Sequence, residues 1–180
     1  MAIQMPYTPQ EIMHTREEEP TQNLLVFRSS ELDCAFPLEA VQEIVPMAYL
    51  SAPPGLPSGL AGFLDLRGVA IPIIRLDRVF DLSEQRPGLH TPLIVLRGTP
   101  TPVGILVDYV RCILPVPRGQ LTGLPETRTF RGFATAAVQI EGDLIHLLSP
   151  ASLLEADENR SLADYWAMSQ ARLLHLEEIR

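Results

Sequence analysis

Between residues 23 and 148 the apolar residues come in short runs, rich in Val, Ile and Leu, each closed within a few positions by Gly, Pro or Ser. Long helices do not survive such punctuation, and the runs read as β-strands. Asn23–Arg28 (NLLVFR) predicts the first strand, and Ser29 with Ser30 a tight turn. Glu31–Pro37 sets Leu32, Cys34 and Phe36 against Asp33 and Ala35, the alternation of a half-buried strand. Val41–Met47 predicts a third strand, with a helical start near Leu38 as the other option. Phe63–Arg67 and Val69–Leu76 form a hairpin pattern around Gly68, and Asp77–Leu82 suits one or two helical turns. Pro92–Arg97, Pro102–Asp108, Tyr109–Val116, Phe133–Ile140 and Asp143–Leu148 complete the strands, with Gly142 in the last turn, where a positive φ is tolerated.

The chain also resembles itself. At an offset of 69 residues, Leu24–Arg28 lies over Leu93–Arg97, Val41 over Val110, Ile44 over Ile113 and Pro46 over Pro115, so that six of 23 positions coincide. An offset of 68 places Gly55-Leu56-Pro57 on Gly123-Leu124-Pro125, and one of 70 places Gly62-Phe63 on Gly132-Phe133. VAIPII after Gly68 resembles DLIHLL after Gly142. The matched pieces keep their order, which predicts a structural duplication over about 24–76 and 93–148, each half a unit of about five strands. Units of that size have little core of their own and are expected to bury a shared seam.

Charge narrows the function classes. The net charge is −8, all 14 basic residues are Arg, and no Lys is present. Acidic balance disfavours nucleic acid, which requires neutralised phosphates. Residues 1–22 and 155–180 carry −3 each, leaving the body almost neutral. No apolar run approaches the ~18 residues of a membrane span, so membrane insertion is not expected. The start of the chain lacks the pattern of a secretory signal. Cys34 and Cys112 have no zinc-like spacing, and a reduced, cytoplasmic protein is expected.

Val41-Gln42-Glu43-Ile44-Val45, a Pro-containing loop, and then Gly62-Phe63-Leu64-Asp65-Leu66-Arg67-Gly68-Val69-Ala70-Ile71-Pro72-Ile73-Ile74 together resemble the CheW-like domain family. Val103-Gly104-Ile105-Leu106-Val107-Asp108-Tyr109-Val110 is similar to a second segment of that family. The resemblance covers roughly residues 22–155 and implies a mainly β fold of two SH3-like five-stranded barrels packed on each other. Asp65 stands where the family usually has Asn, and Ala52–Pro57 is unusually rich in Pro. The resemblance also implies a stand-alone, non-catalytic adaptor that couples chemoreceptors to a CheA-type histidine kinase. Its expected contacts are the kinase's CheW-like domain and the cytoplasmic tip of a receptor, at membrane-associated arrays.

The residues singled out for partner binding are Val41, Glu43, Arg67, Gly68, Val69, Val107, Asp108 and Val110. Glu43 is expected to point away from Ile44, and the family places this position at the kinase-facing surface; the plain alternative is a solvated charge. Arg67 offers a planar fork of donors, either to shape the groove between barrels for a receptor or to clamp its own turn. Gly68 serves that turn. Val41, Val69, Ile71, Val107 and Val110 divide between core and groove, and Asp108 pairs with an Arg, caps a turn or is a surface acid. Residues 1–21 read as a flexible arm. The 156–180 tail reads as helical from Ser161, with Leu162, Tyr165, Trp166, Leu173, Leu176 and Ile179 at helical spacing. That helix packs on its own barrel or on a partner.

No hydrolase, zinc-protease or phosphate-loop motif occurs, and His14, His90, His146 and His175 are scattered singly. No catalytic residue, metal or cofactor is therefore expected. The competing reading is a small β-barrel domain that binds a small molecule, or does chemistry, in the cleft between its halves.

Overall fold

A computed structural model describes residues 19–84, 86–98, 102–125, 129–130, 132–155 and 170–171. The expected arm at 1–21 lies almost wholly outside the described residues. So does the expected tail helix, except for Gln170 and Ala171, which are helical.

Among the described residues there are twelve strands: β1 Thr21–Ser29, β2 Leu32–Pro37, β3 Val41–Pro46, β4 Leu50–Ser51, β5 Leu60–Leu66, β6 Val69–Arg75, β7 Pro92–Leu96, β8 Val103–Leu106, β9 Tyr109–Pro117, β10 Thr122–Gly123, β11 Ala134–Ile140 and β12 Asp143–Leu148. 3₁₀ turns at Leu38–Ala40 and Arg118–Gln120 follow β2 and β9, and short helices α1 (Leu76–Val79) and α2 (Pro150–Glu155) follow β6 and β12. The strands make two sheets, ordered β10-β11-β12-β2-β1-β9 and β3-β7-β8-β6-β5-β4. Each sheet has the five long strands expected, plus a sixth of only two residues.

The two orders are the same once β1 is matched to β7, β2 to β8 and so on, so the duplication is real in topology. It does not coincide with the sheets. The expectation that each half of the sequence makes its own unit gives way to an exchange. β3 leaves β2 and pairs with β7, from the second half, while β9 pairs with β1, from the first. Parallel pairs β12–β2 and β6–β8 complete each sheet. The second sheet is therefore one continuous segment, β3 to β8, inserted into a first sheet assembled from both ends of the chain. The sequence offset also drifts. Gly62 opposes Ile73, whereas Ala136 opposes Leu147, each just after a bulge. Gly62 thus corresponds to Ala136, at an offset of 74, and its match to Gly132 is coincidental.

Core packing explains the unbroken apolar runs. Leu25 and Phe27 of β1, Cys34 and Phe36 of β2, Ile94 and Leu96 of β7 and Ile105 of β8 meet in one cluster between the sheets. The alternate residues face inward within each sheet. Leu24, Val26, Ala35, Val116, Val138, Ile145 and Leu147 form the inner core of the first sheet. Leu64, Ile71, Ile73, Leu93, Val95 and Leu106 form that of the second. Each sheet packs one face on itself, and so curls. Among the described residues its end strands do not pair to close a barrel. β1 and β7 are buried on both faces, which is why their patterns are continuous rather than alternating.

Candidate interaction surface

The β5–β6 hairpin turns on Arg67 and Gly68, both at positive φ (55° and 81°), the geometry of a two-residue turn that follows strand twist. Gly adopts it freely; a non-Gly residue there stores strain, of order 1 kcal/mol. Asp65 steadies the turn, its Oδ1 accepting the Gly68 N–H at 2.9 Å. Asp supplies the same side-chain carbonyl-type acceptor as the family's usual Asn, so this departure leaves the turn intact.

Curling of the second sheet brings this turn alongside β3, at the sheet's end. Arg67 then donates two hydrogen bonds to Glu43, Nη1 to Oε1 at 3.0 Å and Nη2 to Oε2 at 2.8 Å. The fork-to-carboxylate fit is bidentate, and hydrogen bonding from Arg67 holds the Glu43 carboxyl below its ordinary value. The Glu43 side chain is 24% exposed and that of Arg67 73%. The pair is thus a presented surface feature rather than an internal brace. Val69 and Ile44, on the same two elements, are among the large apolar side chains left exposed. Ile44 follows Glu43 on β3 and so points to the opposite face, as expected, which leaves Val69 as the exposed apolar side chain on the pair's own hairpin.

The other expected site residues lie elsewhere. Val41 and Val107 belong to the core between the sheets, and Val110 packs against it. Val41 and Val107 are buried and Val110 is half-buried. Asp108 ties two turns together: its Oδ2 accepts the Ser30 N–H at 2.7 Å and its own N–H donates to the Arg28 carbonyl at 2.9 Å. Burial pushes its carboxyl up. Beside it lies a cavity of about 200 Å³ lined by Ser29, Asp77, Arg86, Thr91 and Leu106. That is smaller than the roughly 300–1,000 Å³ usual for organic ligands; a second, more open hollow of about 320 Å³ lies among Thr21, Gln22, Asn23, Leu38, Glu39 and Arg118.

Sequence reasoning missed two features. The first is three exposed apolar residues of the first sheet, Tyr109 and Ile113 on β9 and Leu144 on β12, of which Ile113 is equivalent to Ile44. The Ile44–Ile113 match was the available signal. The second is Gln170, whose carboxamide hydrogen-bonds the backbone of Gly68 and Ala70; no local pattern announces a contact across 100 residues.

The two-sheet β fold with its exchanged duplication carries an exposed charge pair on an edge strand. The sequence profile of the CheW-like domain matches residues 23–158, and the chain belongs to that family. It is 27% identical over 140 residues to the chemotaxis protein CheW of Rhizobium meliloti, covering 77% of this chain and 90% of that one. The chemotaxis protein CheW of Thermotoga maritima is 25% identical over 132 residues, covering 73% and 87%. The crystal structure of the scaffolding protein TtCheW from Thermoanaerobacter tengcongensis superposes with a TM-score of 0.72 at 20% identity, over 81% of this chain and 95% of that one. No helix among the described residues is long and apolar enough to cross a membrane.

Proposed function

We propose that this protein is a non-catalytic adaptor that couples chemoreceptors to a CheA-type histidine kinase. The observation that carries the reading is the bidentate Glu43–Arg67 pair, presented on an edge strand beside a turn that also exposes Val69. β3 and β9 end their sheets, so each offers an unpaired side to another chain. A kinase domain built on the same duplicated plan would present complementary edges. In this reading the Glu43 surface meets the kinase, the neighbouring Arg67-Gly68-Val69 turn serves the receptor tip, and Val41, Val107, Asp108 and Val110 hold those surfaces in place. The protein works in the cytoplasm, drawn to membrane-associated receptor arrays by its partners and needing no cofactor.

The test is calorimetric titration with the CheW-like domain of a kinase from the same genome. Saturable one-to-one binding is expected, weakened at least about tenfold in Glu43→Arg with the melting temperature unchanged. Arg67→Ala is expected to impair ternary assembly with a receptor fragment more than the binary kinase contact. Equal affinity in wild type and Glu43→Arg would remove this surface from the interface.

A further inference from the structure

The cavity beside Asp108 sits where the two sheets meet. Ser29 comes from the end of β1, Leu106 from the end of β8 and Asp77 from α1, while Arg86, Pro87 and Thr91 belong to the segment between α1 and β7. Its charged groups differ in whether they are already matched. Asp77 is buried and matched: Oδ1 accepts the Arg75 Nε–H at 3.1 Å and the Arg78 N–H at 3.0 Å, and Oδ2 accepts from Arg75 Nη2. Asp108 is matched only by half. Oδ2 takes the Ser30 N–H, and among the described residues nothing donates to the other oxygen. Burial pushes this carboxyl up, and the Asp77 charge adds to that against the Ser30 hydrogen bond, as expected of a carboxylate short of a counter-charge. Arg86, at the exposed rim, forms no hydrogen bond or ion pair with any described residue.

One uncommitted charge of each sign therefore lines one small cavity, and the two do not pair with each other. A lone anion there meets Arg86 but also the carboxylates of Asp108 and Asp77. A lone cation meets Asp108 but also Arg86. A molecule that carries both charges satisfies both groups at once. The volume of about 200 Å³ holds roughly six waters at about 30 Å³ each, which sets the ligand at about six non-hydrogen atoms. Thr91 adds a donor on the Arg86 side: its Oγ1 accepts the Gly88 N–H at 2.8 Å, which leaves the hydroxyl proton to give. Leu106 and Pro87 supply an apolar wall. We propose that this cavity binds a small zwitterion, an amino acid of the size of glycine, alanine or serine, with its carboxylate on Arg86 and Thr91 and its ammonium on Asp108. The site is separate from the Glu43–Arg67 surface and goes beyond the adaptor reading without resting on it.

The experiment titrates glycine, L-alanine, L-serine and β-alanine separately into the full-length chain. NMR follows the backbone amides of Ser29, Ser30, Thr91 and Asp108 and the side-chain carboxyl carbon of Asp108. At least one of the four is expected to shift those amides saturably at or below about 10 mM. Acetate and methylammonium, which carry one charge each, are expected to bind at least about tenfold more weakly. Arg86 is exposed, so Arg86→Gln is expected to keep the melting temperature and weaken the amino acid at least about tenfold. In the complex the Asp108 carboxyl carbon should titrate at lower pH than in the free chain, because the ammonium supplies the missing counter-charge. A purely structural Asp108 would titrate alike in both. No saturable shift from any of the four amino acids overturns the inference. So does equal binding by Arg86→Gln and wild type, or by acetate or methylammonium and the amino acid. Each of these failures leaves the adaptor reading standing, since the Glu43→Arg titration tests that reading by itself.

Discussion

Phe36→Ala is the perturbation that tests how the two sheets depend on each other. Phe36 is fully buried on β2 and stacks on Phe27, with ring centroids 5.0 Å apart and planes 23° from parallel. Both rings lie in the cluster between the sheets, beside Ile94, Leu96 and Ile105 of the second sheet. Truncating a buried Phe to Ala costs about 3–5 kcal/mol, through lost transfer energy and the cavity left behind. The aromatic stack contributes about 0.5–1.5 kcal/mol of that. For a chain of this size each kcal/mol moves the melting temperature about 2–4 °C, so a fall of about 6–20 °C is expected.

Where that loss registers is the informative part. The first sheet cannot assemble without the inserted segment, because β1–β2 and β9–β12 come from opposite ends of the chain. The second sheet is continuous, but it covers its outer apolar face, Ile94, Leu96 and Ile105, only against the first. Unfolding is therefore expected as one transition. Strand-resolved amide exchange should show Val26 and Val138 of the first sheet and Ile71 and Ile94 of the second losing the same protection in Phe36→Ala. Ile105→Val, on the other side of the seam, should lower all four by about 0.5–1.5 kcal/mol. A variant in which the second sheet keeps wild-type protection while the first loses it would refute the reasoning, and would show the inserted segment to be an independent folding unit.

Three further outcomes follow from single residues. His146 is half-buried with its Nδ1 unpaired, and burial pushes its pKa below the ordinary 6.5; the unfolded chain then takes up a proton that the folded chain resists. Stability should fall as pH drops below about 6.5, and His146→Leu should flatten that part of a urea-midpoint curve measured against pH. Burial raises the Cys34 thiol to about 12, whereas Cys112 is exposed. One thiol per native chain should react with iodoacetamide at pH 8, and two in denaturant, with mass spectrometry locating the first at Cys112. Asp65→Asn should leave the melting temperature unchanged, because the acceptor for Gly68 is kept, while Asp65→Ala should cost about 0.5–1.5 kcal/mol in urea unfolding.

Most of the strands were legible because their signals are local. Asp143–Leu148 was read to the residue, and Leu38–Ala40 is the helical start foreseen before β3. The two-residue strands Leu50–Ser51 and Thr122–Gly123 carry too little sequence to show a period. The exchange of β3 and β9 was not legible, since alternation tells a strand which face to bury but not which neighbour to take. The same limit applies to the site. Glu43, Arg67, Gly68 and Val69 were picked out together and do meet, because hairpin and edge-strand patterns are local and the resemblance joined them. Val41 and Val107 share the apolar, β-branched character of a groove residue, and only the packing between sheets assigns them to the core.

The duplication supplies an internal comparison that bears on what the surface is for. The turn Arg67-Gly68 has an equivalent in Glu141-Gly142, and the backbone repeats its strain, with φ of 53° at Glu141 and 98° at Gly142. A positive φ at a non-Gly residue in both turns is therefore a demand of the hairpin and says nothing about function. The side chains are what differ. Glu43 corresponds to Cys112 and Arg67 to Glu141, so the second copy has no bidentate pair at this position. Its nearest charges instead join Arg111 to Asp143 and Asp33, each at 3.1 Å. Both copies keep an exposed isoleucine, Ile44 and Ile113. A fold that needed the Glu43–Arg67 pair for stability would need it twice. Its presence in one copy alone, on a turn whose geometry both copies share, is consistent with the recognition role proposed for the pair. The shared exposed isoleucine argues that the second surface also meets a partner, one selected by different charges.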